Sequence, residues 1–278
     1  MALGTDVGDA RGPRSHWIAA YGWGLIWGLG GVAWGLTMTR LGMAFSNSFV
    51  FGVTTMTGAL LPLAVNGVES PPRPALFAAG VALCVLTTVL IGFLRRHGRQ
   101  EPLLPMPAPF RSYRAILAVA LFAGFSSAGY GLAFTFSFAQ IRAMMAGGIS
   151  QLSASLVVVL PVYLGAATVG IPLGVLVAAR AHGLRLFLGR HAMWNWSLAA
   201  VIGLCATAST VLYGFAGSGA GHPSPNVSFG VLISVLVLGS NSLGLSTGEL
   251  RGSSLRVCAG LLFSAGGLVA GAWLLNAR

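Results

Sequence analysis

Charged residues in this chain are confined to short clusters, and the uncharged stretches between the clusters have the length of a membrane crossing. These stretches lie between Arg14 and Arg40 (25 residues), Arg40 and Glu69 (28), Arg73 and Arg95 (21), Arg114 and Arg142 (27), Arg142 and Arg180 (37), Arg190 and Glu249 (58), and Arg256 and Arg278 (21). A helix needs roughly 20 apolar residues to cross a hydrocarbon core. The 58-residue stretch accommodates two crossings, so the pattern predicts a polytopic membrane protein with eight spans.

The predicted spans cover residues 17–39, 43–65, 75–94, 114–139, 151–179, 193–217, 228–247 and 254–275. Lipid offers no partner for open backbone groups, so only helices or closed barrels cross it. Long apolar runs without alternation favour helices, and the expected fold class is therefore all-α. The composition agrees, because only 8% of the residues are charged, against about 25% in a soluble domain.

The net charge of +11 is explained by topology rather than by nucleic acid. All 16 basic residues are arginine, and no basic stripe with interleaved aromatic residues is present. With the N-terminus outside, eleven arginines fall on the inner side and five on the outer side. The positive-inside rule then places both termini outside.

Four segments are expected along the chain: a polar tail (1–16), a three-helix group (17–94), a cytoplasmic linker rich in arginine and proline (95–113) and a five-helix group (114–278). Trp34-Gly35-Leu36 in the first span is echoed by Tyr213-Gly214-Phe215 in the sixth. On this pairing, spans 1–3 match spans 6–8 in opposite orientation. The hypothesis is an inverted repeat of five plus five helices that lacks its first two.

The first span and the turn after it carry a group of motifs: Trp27-Gly28-Leu29-Gly30, Trp34-Gly35-Leu36-Thr37-Met38 and Leu41-Gly42-Met43. Further motifs are Gly124-Phe125-Ser126-Ser127-Ala128-Gly129, and Leu160-Pro161 with Tyr163. Together they resemble the L-rhamnose–proton symporter family, within the drug/metabolite transporter superfamily. The resemblance implies a ten-helix transporter whose third helix corresponds to the first one here. It also implies L-rhamnose and protons as the transported species.

The sequence departs from the family's pattern at positions that bear on the substrate. Gly31 and Ala33 stand where the family carries asparagines, and Trp34 replaces a tyrosine. Because amides are well suited to hold sugar hydroxyls, transport of a different metabolite on the same fold is an alternative. A second alternative is a truncated membrane subunit that does not transport. The chain could also pair with a second copy of itself and form a homodimer.

A sugar site needs flat aromatic faces for C–H groups and polar side chains for oxygens. Trp27 and Trp34 are seven residues apart and therefore share a helix face. Polar residues inside the spans tend to face the bundle or a cavity. The predicted substrate-binding residues are Trp27, Trp34, Asn47, Tyr130, Tyr163, Tyr213 and Asn241. Pro161 and Pro172 are expected to kink or break the fifth span.

The sequence shows no catalytic constellation, metal-ligand spacing or phosphate-binding loop, so neither an enzyme nor a cofactor is expected. The three cysteines lie inside or beside apolar spans and are interpreted as small core residues. All acidic and histidine residues fall in loops or at span ends. The sequence therefore identifies no proton carrier, although such carriers normally lie within the membrane.

Overall fold

The computed structural model describes residues 13–66, 73–97, 112–180, 183–218, 225–248 and 255–275. Within these ranges the chain is helical, and it contains no strand. The helices are α1 (Pro13–Leu41), α2 (Met43–Asn66), α3 (Pro74–His97), α4 (Tyr113–Ala146), α5 (Gln151–Arg180), α6 (Arg185–Leu188), α7 (Ala192–Ser218), α8 (Pro225–Ser246) and α9 (Leu255–Leu275). The expected all-α fold class is confirmed.

Each of the eight long helices coincides with one predicted span. Five of them, α3, α4, α5, α7 and α9, contain a segment of the described residues that is by itself long and apolar enough to cross a membrane. Helix α8 contains a shorter apolar segment, Leu232–Gly244. Helix α1 is less apolar than these helices, because glycine and tryptophan make up much of its length. These findings support a polytopic membrane protein, and the number of eight spans stays a prediction.

The helices differ from the predicted spans most clearly at α1, α4 and α6. Helix α1 begins at Pro13, within the predicted polar tail, because proline suits the first position of a helix. Helix α4 continues to Ala146 and carries the exposed Arg142 in its last two turns. Helix α6, a single turn, was not predicted. Residues 1–12, 98–111 and 276–278 lie outside the described ranges, including most of the predicted linker.

Helix α5 runs without a break from Gln151 to Arg180, through both Pro161 and Pro172. Of the two predicted alternatives, the break is therefore not found, and the kink stays a prediction. A sharp turn instead lies between α1 and α2, where Gly42 adopts a φ of 80°. This left-handed conformation favours glycine, and it lets the two helices meet after a single connecting residue.

Helix α1 lies at the centre of one helix group, packed along both α4 and α5. Glycines make this approach close: the α carbons of Gly24 and Gly28 face backbone atoms of Val162 and Ala166 on α5. Such small-residue contacts are a typical way for membrane helices to associate, because lipid provides no hydrophobic drive for their association.

A second group is built around α2, α3, α8 and α9. Helices α3 and α9 pack along each other, and α2 lies against α3, α4 and α8. The buried core here includes Phe45, Val50, Ile91, Val237 and Leu261. By contrast, most side chains of α7 from Trp196 to Ala206 are exposed on the surface of the described structure.

Candidate functional site

A cavity of about 160 Å³ lies where the two helix groups meet. Six helices contribute to its wall. The residues are Trp27 and Trp34 of α1, Phe51 and Thr54 of α2, Ser127 and Tyr130 of α4, Tyr163 of α5, Ala206, Ser209 and Thr210 of α7, and Leu232, Ile233 and Leu236 of α8.

Aromatic rings form one side of this cavity. The Trp27 ring lies 5.1 Å from that of Tyr130 and 5.3 Å from that of Tyr163, measured between centroids. Their interplanar angles of 49° and 73° are tilted and edge-on arrangements, which aromatic pairs prefer over face-to-face stacking. The three rings thus make a continuous wall from α1, α4 and α5. Such faces suit the C–H surface of a sugar ring.

Hydroxyl groups lie next to these rings in the same wall. Tyr163 Oη and Thr210 Oγ1 are 2.8 Å apart and join α5 to α7. Thr54 contacts the Gly124 carbonyl oxygen at 3.1 Å and so joins α2 to α4. Among the described lining residues, none is acidic, basic or histidine. The described part of the cavity wall is therefore amphipathic and carries no formal charge.

Trp34 closes another part of the wall and is held in place from behind. Its Nε1 donates to Oδ1 of Asn47 across 2.8 Å. Its ring lies edge-on to Phe51, with centroids 5.4 Å apart. Next to this pair, Thr37 hydrogen-bonds to Ser46, again between α1 and α2. These bonds fix the orientation of the indole relative to the cavity.

The structure brings four of the seven predicted site residues to the cavity wall: Trp27, Trp34, Tyr130 and Tyr163. Tyr213 packs behind Tyr130, with 5.9 Å between centroids. Asn47 supports Trp34, and Asn241 donates 2.8 Å hydrogen bonds to Ser48 Oγ and to the Val237 carbonyl oxygen. Both asparagines therefore connect helices and lie outside the cavity wall.

Sequence reasoning did not select Thr54, Ser209 and Thr210, or the apolar wall from α8. One signal was available, because Ser209 and Thr210 precede Tyr213 by four and three residues and hence share its side of the helix. The α8 residues Leu232, Ile233 and Leu236 gave no such signal, since apolar residues occur on every face of a membrane helix.

Replacing Asn47 with leucine should destabilise the protein by about 1–3 kcal/mol, because the buried indole N–H of Trp34 loses its acceptor. Thermal unfolding in detergent would measure the change. In a Trp34→Phe background the same replacement should cost less, since the donor is already gone. Equal losses in both backgrounds would show that the 2.8 Å contact carries no stability.

Three L-rhamnose-proton symporters are similar to this chain over about half its length. The protein from Klebsiella pneumoniae (strain 342) is 30% identical over 135 residues, which are 48% of this chain and 39% of that protein. The Pectobacterium atrosepticum protein is 30% identical over 144 residues, 50% of this chain and 40% of its own length. The Shigella dysenteriae protein is 27% identical over 138 residues, with coverages of 48% and 39%.

These matches confirm the resemblance of the sequence to the L-rhamnose–proton symporter family. The match spans 39–40% of the length of these three relatives. No protein-family model matches the chain, and no solved structure matches it. The chain is thus similar to part of three proteins that are named as symporters.

Proposed function

We propose that this protein is a secondary transporter that carries L-rhamnose or a closely related neutral sugar together with a proton. The observation that carries this proposal is the cavity between the two helix groups, whose described wall combines aromatic rings with hydroxyl groups and has no charged side chain. Sugar sites combine these two features, because a sugar ring has both C–H faces and hydroxyl edges. The names of the similar proteins point to the same class of solute.

The chemistry of L-rhamnose suits the distribution of polarity in this wall. As a 6-deoxy sugar it carries a methyl group where other hexoses carry a hydroxymethyl group. Leu232, Ile233 and Leu236 of α8 offer an apolar surface for that methyl group. The hydroxyl-bearing residues of α2, α4, α5 and α7 are available to the oxygens. A cavity without charged groups gives no counter-ion to a sugar acid or a sugar phosphate.

The proposed mechanism is alternating access, with the two helix groups moving relative to each other around the cavity. Helix α1 would move with α4 and α5, because glycine-mediated backbone contacts leave little room for sliding between α1 and α5. The pairing of α2 with α8 and of α3 with α9 supports the inverted-repeat hypothesis. We place the protein in the bacterial inner membrane with both ends outside, an orientation that a reporter enzyme fused to the C-terminus would test.

Proteoliposomes that contain the purified chain should accumulate labelled L-rhamnose, and an inward proton gradient should increase the initial rate severalfold. Empty liposomes and a proton-conducting ionophore are the controls. Uptake that is unaffected by the gradient would remove proton coupling from the proposal. Uptake of another neutral metabolite but not of L-rhamnose would favour the alternative of a different substrate on the same fold, which Gly31 and Ala33 already suggest.

A further inference from the structure

Most hydroxyl protons in the described cavity wall already form hydrogen bonds within the protein. Thr210 Oγ1 lies 2.9 Å from the Ala206 carbonyl oxygen and donates its single proton to it. The same oxygen lies 2.8 Å from Tyr163 Oη. Since a threonine hydroxyl has only one proton and its bond to the carbonyl oxygen uses it, we assign Tyr163 as the donor in that second bond. Tyr163 is thereby left facing the cavity with an acceptor oxygen.

Other polar groups of the wall follow the same pattern. Ser209 donates to the Ala206 carbonyl oxygen at 2.8 Å. Thr54 donates its proton to the carbonyl oxygens of Val50 and Gly124, at 2.9 and 3.1 Å. Bonding to the preceding helical turn is usual for such side chains in apolar surroundings. It uses up the donor and leaves lone pairs on the hydroxyl oxygen.

Donors are correspondingly scarce. The Trp34 N–H is bound to Asn47. Among the described lining residues, the Ser127 hydroxyl and the Trp27 indole N–H are the groups whose protons have no partner within the described structure. Against these two stand acceptor oxygens from α2, α5 and α7. The wall thus offers more sites that accept hydrogen bonds than sites that donate them.

We propose that this cavity is an acceptor-rich site that selects its solute by the O–H groups which the solute donates. This inference rests on the proposed transport function and specifies its substrate class as neutral, donor-rich polyols. Anions and solutes that only accept hydrogen bonds are disfavoured, because their lone pairs would face the lone pairs of Thr54, Tyr163 and Ser209. A solute hydroxyl satisfies such an oxygen, whereas a fluorine or an ether oxygen at the same place does not.

The test compares a sugar with analogues in which one hydroxyl at a time is replaced by fluorine. Fluorine keeps the size and electronegativity of the group but loses the donor. Purified protein in lipid nanodiscs would be titrated with L-rhamnose, with each of its monofluoro analogues, and with a panel of other neutral polyols and sugar acids, by calorimetry. At the hydroxyls that meet Thr54, Tyr163 or Ser209, fluorine should weaken binding roughly three- to tenfold.

The outcomes separate this inference from the proposed function. If another polyol binds and L-rhamnose does not, L-rhamnose is not the substrate. The fluorinated analogues of that polyol then test whether the site is rich in acceptors. Fluoro analogues that all bind as tightly as the parent sugar would overturn the inference. Binding confined to sugar acids, or binding of no polyol at all, would overturn it as well.

A pair of variants assigns the effect to a named residue. Thr210→Val removes the acceptor of Tyr163 and releases the phenolic proton toward the cavity. The wall then gains a donor, so discrimination against one of the fluoro analogues should fall to about twofold or less. Thr210→Ser keeps a hydroxyl at this position and should retain the discrimination. Equal discrimination by both variants would contradict the proton assignment.

Discussion

Replacing Gly28 with alanine should destabilise the helix bundle, whereas the same replacement of Gly31, three residues along the same helix, should not. A Cβ atom at Gly28 would lie 2.5 Å from the carbonyl oxygen and 2.8 Å from the α carbon of Ala166. These are backbone atoms of α5, so no side-chain rotation can make room. The two helices would have to separate, which costs about 1–3 kcal/mol or more for an overpacked interior.

Gly31 is the matched control because a Cβ atom there meets nothing within 4 Å. Alanine at this position removes only the flexibility of glycine, and it should leave stability unchanged or raise it slightly. Thermal unfolding of both variants in the same detergent would give the comparison. Similar unfolding temperatures for Gly28→Ala and Gly31→Ala would mean that α1 and α5 are not in backbone contact at this point.

The glycines of α1 show which part of this packing can be predicted from the sequence. Gly24 and Gly28 form a Gly-x3-Gly motif, which predicts a close approach to another helix. The motif does not say which helix approaches, because the partner residues Val162 and Ala166 lie more than 130 positions away in the chain. The structure identifies α5 as the partner, and this pairing brings Tyr163 beside Trp27.

The helices themselves were predictable because the hydrocarbon core imposes both a length and a composition on each crossing. The ends of the helices were less predictable. Helix α4 passes Arg142 without interruption, because a helix can continue past the apolar segment when its charged residues are exposed. A kink or a break was predicted at Pro161 and Pro172, and the helix is continuous, since neighbouring helices can accommodate proline inside a membrane helix.

The candidate site was predictable only in part, and the two asparagines explain why. Asn47 and Asn241 were selected because a buried amide is costly in a membrane unless it has a hydrogen-bonding partner. A hydrogen bond between helices satisfies an amide as well as a solute does. Asn47 binds the Trp34 indole and Asn241 binds Ser48. Only the packing of α2 against α1 and α8 shows that these amides bond to neighbouring helices and do not line the cavity.

Replacing Trp27 with alanine should weaken solute binding roughly ten- to a hundredfold. The indole forms the centre of the aromatic wall, with Tyr130 at 5.1 Å on one side and Tyr163 at 5.3 Å on the other. Its removal takes away the largest apolar face of the cavity and also leaves both tyrosines with less support. Each aromatic contact contributes about 0.5–1.5 kcal/mol beyond its buried area, and every 1.4 kcal/mol corresponds to a tenfold change in affinity.

The control for this prediction is Trp273 of α9, whose side chain is 70% exposed and does not line the cavity. Trp273→Ala removes the same atoms from a surface position and should leave uptake within about twofold of the parent protein. Initial uptake rates at increasing sugar concentration would separate the affinity from the maximal rate. Trp27→Phe should lie between alanine and tryptophan, because it keeps a smaller aromatic face. If Trp27→Ala and Trp273→Ala transport with the same affinity, the solute does not bind against this wall, and the cavity between the helix groups loses its assigned role.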